Sequence, residues 1–146
     1  ADPPPGRRWT FPAPFGEQDV VALSLAETIT ISHHLRTPEI RVFMNLTPIA
    51  DLRNPDTLVP TAADESGRSS QIFLMDVIVR RGSEERRIVA RGRDIYAISA
   101  PIVVEATQRV VNDLCKTRGV VAAGEAFDAQ DFLNSLGPEH LVVEIP

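Results

Sequence analysis

The chain has 146 residues, a formal net charge of −5, and hydrophobic and charged fractions of 43% and 24%. These values are typical of one globular domain that builds its core without metals or disulfides. The acidic balance argues against a nucleic-acid-binding protein, and no apolar run reaches the roughly 18 residues of a membrane helix. A single cysteine, Cys115, excludes an internal disulfide and fits a reducing cytoplasm.

The first sixteen residues, ADPPPGRRWTFPAPFG, are dominated by proline and aromatic side chains. Proline removes backbone donors and holds the preceding residue extended, so residues 1–16 are expected to form an irregular linker or arm. Trp9, Phe11 and Phe15 would be costly in a free linker, which indicates that the arm docks on this domain or on a neighbour. The folded domain is then predicted to span residues 17–146.

The next segments predict a strand, a helix and a second strand. Residues 19–25 (DVVALSL) are typical of a short strand, and residues 26–35 (AETITISHHL) favour a helix. Residues 39–46 (EIRVFMNL) alternate between apolar and polar side chains, which predicts a half-buried strand. Residues 47–69 form a loop apart from a helical turn near 50–53, and so long a connection is usually functional or mobile.

Two longer segments, residues 70–80 and 85–94, predict an antiparallel hairpin closed by the tight connection RGSE. The first strand is apolar on both faces near its start, so we expect it at the centre of the sheet. The second strand carries arginines on one face, which favours a position near an edge. Asp76 lies inside the apolar first strand, and we expect it to form a structural ion pair across the sheet.

Residues 99–114, SAPIVVEATQRVVNDL, predict the clearest helix of the chain. Ser99 is a suitable N-cap, and Pro101 lies in the first turn, where its missing donor costs nothing. Polar side chains including Glu105 and Arg109 are expected to face solvent. The opposite side is an apolar stripe predicted to pack on the hairpin, and it consists of Val103, Val104, Ala106, Val110, Val111 and Leu114.

The tail contains a short extended piece, a helix that begins after Asp128 and stops at Gly137-Pro138, and a last possible strand, HLVVEI. The elements together predict an α+β fold, with an open mixed, largely antiparallel sheet covered by helices in a single domain.

Arg91 and Arg93 precede the predicted helix start and form a candidate substrate-binding site for an anion. A helix N-terminus and a guanidinium group both favour a carboxylate, and Tyr96 would add a hydroxyl. The alternative is that these arginines, together with Arg87, are the solvated end of an exposed strand face.

His33 and His34 are the remaining candidate site residues. Adjacent histidines on a helix point about 100° apart, so they cannot easily bind one ion, and we predict no metal site. One of them could still serve as a general acid or base near neutral pH, or both could simply face solvent and a partner surface. No glycine-rich dinucleotide loop, P-loop, G-x-S-x-G or H-E-x-x-H motif occurs, so no catalytic residue is assigned.

Three ordered blocks carry a family resemblance: FGEQDVVALSLAETITISHHLRTPEIRVFMN, VARGRDIYAISAPIVVEA and GVVAAGEAFDAQDFLNSL. Over residues 11–136 the chain resembles the downstream domain of the saccharopine dehydrogenase-like reductases, especially the bacterial trans-acting enoyl reductase branch. Members of this family have an N-terminal Rossmann domain with a glycine-rich nucleotide loop. A mixed α/β domain follows, which helps form the homodimer and covers the substrate side of the cleft.

The resemblance implies that this chain is the substrate-binding and dimerisation domain of an NAD(P)-dependent oxidoreductase and lacks the Rossmann domain. NAD(P) would be held by that other domain, with no cofactor residue in this chain, which alone should be inactive. The expected partners are the Rossmann domain, a second copy and a small-molecule substrate, and the arm would be the crossover between domains. Two alternatives remain: a non-catalytic ligand-binding or protein-interaction module, and a small enzyme using His33 or His34.

Overall fold

The computed structural model describes residues 6–145, whose helices and small antiparallel sheets confirm the α+β class. The described strands form two three-stranded sheets rather than one open sheet, and each pairing among them is antiparallel. Contacts divide the chain into two compact units. The first is the part up to Leu58 with Val120–Gly124, and the second is Val59–Gly119 with the residues from Glu125 onward.

The first unit contains a three-stranded sheet whose middle strand is β2 (Gly16–Leu23). Val20 of β2 is 1% exposed, so this strand carries the best-buried side chain of the unit. The predicted first helix is confirmed, and the predicted helical turn near 50–53 is a longer helix. The elements are β1 (Gly6–Phe11), β2 (Gly16–Leu23), α1 (Ala26–His34), β3 (Val42–Asn45) and α2 (Leu46–Arg53).

The prediction that residues 1–16 form an irregular arm is wrong for Gly6–Phe11, which is the edge strand β1; residues 1–5 lie outside the described part. The strand can form because the described prolines, Pro12 and Pro14, come after it. Each residue of β1 therefore pairs with a residue of β2. The ring of Trp9 stacks on that of Phe43 with centroids 6.2 Å apart, and the guanidinium of Arg7 lies 4.3 and 4.4 Å from the two ring centroids. The ring of Trp9 therefore packs on this unit's own sheet.

The second unit contains the predicted hairpin, which is confirmed, and the predicted last strand pairs with it. The sheet consists of β4 (Ile72–Arg81), β5 (Glu84–Arg93) and β6 (Val142–Glu144), in that order. The predicted strand positions are therefore wrong, because the arginine-bearing strand β5 lies at the centre and the apolar strand β4 at the edge. The last strand pairs antiparallel with the arginine-bearing strand, with Ala90 opposite Val143. The helices of the unit are α3 (Ser99–Val111), α5 (Ala129–Ser135) and α6 (Gly137–His140). The turn α4 (Ala123–Ala126) comes between α3 and α5 in the sequence.

The core of the second unit lies between one face of this sheet and the helices that follow β5. Ile98, Leu136 and Leu141 are its buried residues. Side chains of the sheet and of α5 complete it, namely Phe73, Ala90, Phe132, Leu133 and Val143. As predicted, Asp128 caps α5, because its carboxylate accepts a hydrogen bond from Asp131 N at 3.0 Å.

Helix α3 faces the opposite way from the prediction. The apolar stripe lies outward, with Val110 and Val111 60% and 77% exposed, while Arg109 on the other side is 7% exposed. Arg109 Nε donates to Glu105 Oε1 and Nη1 donates to Asp131 Oδ2, both at 2.7 Å. Both hydrogen bonds raise the pKa of Arg109 above its usual value, and the bond to Asp131 has the larger effect. The amphipathic pattern predicted the helix and its apolar stripe correctly. The stripe faces outward because the buried side of α3 contains the ion-paired guanidinium of Arg109.

The N-cap prediction at Ser99 is also wrong. Ser99 is the first residue of α3, the cap position belongs to Ile98, and no side chain caps the helix there. Within residues 6–145 the helices are too short or too polar to cross a bilayer.

We expect Gly92→Ala to destabilise the second unit. A methyl group at Gly92 would lie 2.6 Å from Phe73 Cζ and 2.8 Å from the carbonyl oxygen of His140, so the ring or the end of α6 must move. Overpacking of this kind costs about 1–3 kcal/mol of unfolding free energy, measurable by urea denaturation. Gly6→Ala is the control, because its methyl group would meet only Val20 O at 3.6 Å. Equal stability of the two variants would contradict the close approach.

Candidate functional site

Arg93, one of the predicted anion-binding residues, is in an ion pair with the long loop that precedes β4. Its Nη2 donates to Asp64 Oδ2 at 2.6 Å and lies 3.2 Å from Ser66 Oγ. The side-chain hydrogen bond from Ser66 and then that from Arg93 lower the pKa of Asp64 from 3.8 to about 2. The guanidinium of Arg93 therefore already binds a carboxylate of its own chain.

Arg91, the second predicted residue, pairs with the last strand. Its Nη2 donates to Glu144 Oε2 on β6, and its side chain is 34% exposed. The Nε atom of Arg91 is enclosed without a hydrogen-bond partner among the described residues. This arginine joins β6 to the central strand of the sheet.

Asp94 organises the chain between β5 and α3, and the sequence pattern gave no role to it. Its φ of +59° is the left-handed conformation, in which Asp is enriched among non-glycine residues. One carboxylate oxygen accepts from Ser69 N at 2.8 Å, and the other accepts from Tyr96 N and Ala97 N at 3.1 and 3.0 Å. Hydrogen bonds from the backbone of Ser69 and then Ala97 lower the pKa of Asp94 below its usual value.

The anion expected at the start of the helix is therefore supplied by the chain itself. The carboxylate of Asp94 accepts hydrogen bonds from the backbone N–H groups just before α3, where an external carboxylate had been expected to bind. Tyr96, the third predicted residue, is 73% exposed beside this turn. The structure brings Arg91, Arg93 and Tyr96 to neighbouring positions at the end of β5, and both guanidiniums carry internal counter-ions.

The long loop from residue 54 to residue 71 has no helix or strand, as expected, and it is held at several points. Besides the contacts with Arg93 and Asp94, Arg68 donates to the carbonyl oxygen of Glu139 at 3.0 Å. Another nitrogen of Arg68 lies 2.8 Å from His140 Nδ1. Side chains of the loop thus fasten it to α6 and to the end of β5.

The predicted structural ion pair of Asp76 is confirmed. Arg87 Nε and Nη2 donate to its two carboxylate oxygens at 2.8 and 2.7 Å, and the side chain of Asp76 is 1% exposed. The bidentate contact also raises the pKa of Arg87. Neither Arg87, Arg91 nor Arg93 is therefore a simple solvated end of the strand.

His33 and His34 lie near the end of α1, in the other unit. His33 is exposed, and His34 is half-buried with Nδ1 3.1 Å from the carbonyl oxygen of Thr30. The ring of His34 lies so close to Gly124 that a methyl group there would be 2.8 Å from Nε2. These contacts give His34 a packing role.

Two open depressions lie at the tip of the hairpin, with volumes of about 360 and 230 Å³. None of the five predicted site residues lines either one. Their linings comprise Val79, Arg81, Glu84, Glu85, Arg86, Arg87 and Ile145. Among residues 6–145, no group of three or more His, Cys, Asp or Glu side chains could hold a metal ion.

Comparison with family models, with curated proteins and with solved structures found no match to this chain.

The most informative residues that the sequence analysis missed are Asp64 and Asp94. Asp64 cannot be paired with Arg93 from sequence, because 29 residues of loop and strand separate them. Asp94 could have been suspected, because Asp between a strand and a helix start commonly accepts hydrogen bonds from the next backbone N–H groups. Both supply negative charge where an external ligand was expected.

We expect the titration of Asp64 to report on its contact with Arg93. The lowered pKa means that the hydrogen bonds from Ser66 and Arg93 contribute stability above pH 3.8, and this contribution is lost as the pH falls toward 2. Arg93→Met should therefore move the midpoint of the Asp64 carboxyl carbon resonance upward from about 2 toward 3.8. Arg118→Met removes an exposed pair with Asp113 and is the control. An unchanged Asp64 midpoint in Arg93→Met would contradict the contact.

We expect Arg87→Met to lower the free energy of unfolding by about 2–4 kcal/mol, because Asp76 would remain buried without its cation. The double variant Asp76→Leu with Arg87→Met should recover much of that loss, since no unpaired charge remains. Arg80→Met is the matched control, because it removes an exposed pair with Glu85 and should cost less than about 1 kcal/mol. Urea denaturation of the three variants measures these differences, and equal losses in both single variants would refute the assignment.

Proposed function

We propose that this chain is the substrate-side and dimerisation domain of an NAD(P)-dependent oxidoreductase of the saccharopine dehydrogenase-like type, and that α3 packs on the nucleotide-binding domain. The outward apolar stripe of α3 carries the proposal. A helix that buries its charged side and exposes its valines requires another polypeptide to cover it.

The stripe is continuous along α3 and the turn that follows. Thr107 lies among the valines and turns its hydroxyl to the carbonyl oxygen of Val103 at 2.8 Å, which reduces the polarity of the surface. The exposed fractions of its large members lie between 54% and 77%. Exposed apolar side chains grouped along one helix and the turn after it are typical of interaction sites. The members are Val103, Val104, Val110, Val111 and Leu114.

The sheets favour a cofactor held elsewhere. A dinucleotide binds at the carboxyl ends of parallel strands, beside a glycine-rich turn that opens a helix. The described strands pair only antiparallel, and the turn before α3 has Asp94-Ile95-Tyr96-Ala97 in place of glycines. This arrangement supports the proposal that another domain holds NAD(P).

In the proposed domain, the arginines at the end of β5 belong to the surface that borders the substrate. Arg91 and Arg93 are fixed by Glu144 and Asp64, so they form a positioned polar surface. Tyr96 is exposed beside them and available to contact a small-molecule substrate. The alternative function, a non-catalytic protein-interaction module, rests on the same stripe of α3 and differs in the partner that covers it.

Two measurements test the proposal. Calorimetric titration of this chain with NADPH should give no binding. The gene should encode, upstream of Ala1, a domain of about 200 residues that opens with a strand and a glycine-rich turn. That domain, purified separately, should bind this chain and bind NADPH.

Val111→Lys should weaken the binding between the two domains by at least about tenfold, because the ammonium group would be desolvated in the interface. Gln108→Lys is the control, since Gln108 is exposed on the flank of the stripe and the substitution adds the same charge. NADPH binding by this chain alone, or a reading frame without a nucleotide-binding domain, would refute the oxidoreductase proposal. Binding to another protein through the same valines would then establish the alternative.

A further inference from the structure

We propose that β4 pairs with β4 of a second copy across a two-fold axis, which joins two three-stranded sheets into one continuous six-stranded antiparallel sheet. This inference deepens the dimerisation part of the proposed function and rests on it. It uses a surface different from the stripe of α3, so the two can be tested independently.

The open edge of β4 is the longest sheet edge in the described part of the chain. β4 has ten residues, whereas the other described edge strands, β1, β3 and β6, have six, four and three. Only β5 pairs with β4 among the described strands. An edge of this length presents a row of backbone donors and acceptors to another strand.

The edge carries few of the devices that natural proteins use to prevent pairing. Lysine, proline and β-bulges are the common ones. The strand IFLMDVIVRR has no lysine or proline, and its register with β5 is unbroken from Ile72↔Arg93 to Arg81↔Glu84. The charge inside the strand, Asp76, is neutralised by Arg87 of β5.

One face of β4 is apolar and uncovered beyond its first residues. Phe73 packs on the core of the unit, but the next three residues of that face are exposed. Met75, Val77 and Val79 are 53%, 49% and 62% exposed. Such side chains are ordinary in a sheet interior and unusual along an open edge.

Two-fold symmetry makes this edge complementary to itself. An axis perpendicular to the sheet produces antiparallel pairing and keeps each face of the sheet on the same side. Each residue then lies opposite a residue whose side chain is on the same face of the sheet. The exposed side chains of Met75, Val77 and Val79 therefore form one apolar surface with those of the second copy. Symmetry therefore excludes a pairing that places residues of one face opposite residues of the other.

The charges select the register. Two registers pair nine residues of each strand, one centred on Asp76 and one centred on Val77. The first puts the Asp76 carboxylates of the two copies opposite each other, which is destabilising. The second places Val77 opposite Val77 and Asp76 opposite Ile78. It also sets Arg81 opposite Phe73, so the basic ends of the two strands do not face each other.

Sedimentation velocity and equilibrium of this chain test the pairing. The protein should be a dimer at micromolar concentration. Val77→Lys brings two ammonium groups together at the axis and should weaken dimerisation by about 100-fold or more, while circular dichroism stays unchanged because Val77 is half exposed in one copy. Leu58→Lys is the matched control, because Leu58 is 89% exposed outside the sheet.

Cysteine crosslinking tests the register. In a Cys115→Ser background, Val77→Cys should form an intermolecular disulfide under mild oxidation, because directly opposite Cα atoms are about 4.5–5.5 Å apart in either kind of antiparallel pair. Val79→Cys alone should not crosslink, since its opposite residue is Met75. Met75→Cys combined with Val79→Cys should crosslink again.

The outcomes separate this inference from the proposed function. A monomer at high concentration, a dimer insensitive to Val77→Lys, or crosslinking of Val79→Cys but not Val77→Cys would each overturn the pairing. Val111→Lys on α3 should leave the dimer intact and affect only binding of the nucleotide-binding domain. Loss of the dimer in Val111→Lys, with Val77→Lys still dimeric, would place self-association on α3 and overturn the pairing.

Discussion

The buried guanidinium of Arg109 determines the orientation of α3, and much of the second unit depends on it. Glu105 one turn earlier and Asp131 on α5 neutralise its charge, and the ring of Phe132 lies 5.2 Å from its central carbon. A cation that is removed from water requires such partners, so α3 and α5 must stay together for the contact to exist. With this side of α3 held inward, the valines are left on the outside.

The same principle recurs across the central strand of the unit. Every second residue of β5 from Arg87 to Arg93, apart from Val89, is an arginine, and each is matched by an acid from a different segment: Asp76, Glu144 and Asp64. These pairs join β4, β6 and the long loop to β5. Charge compensation therefore organises the polar side of the sheet, while Ile98, Leu136 and Leu141 organise the apolar side.

Local patterns in the sequence predicted the elements well and their surroundings poorly. The hairpin, α1, α3 and the cap at Asp128 follow from spacing over a few residues, and so does the ion pair of Asp76, since a lone acid in an apolar strand needs a cation. The edge position of β4 and the outward stripe of α3 could not be predicted in this way. Both depend on contacts with β6 and α5, which lie far along the chain. The predicted anion site shows the same limit: Arg91 and Arg93 were recognised, but their counter-ions come from residues 144 and 64.

The contact between Arg68 and His140 fixes the tautomer of an imidazole ring. A guanidinium group has only hydrogens to offer, so Nδ1 of His140, 2.8 Å away, must supply the lone pair. The hydrogen of the ring then lies on Nε2. This attachment therefore holds the long loop to α6 through one defined tautomer of the imidazole.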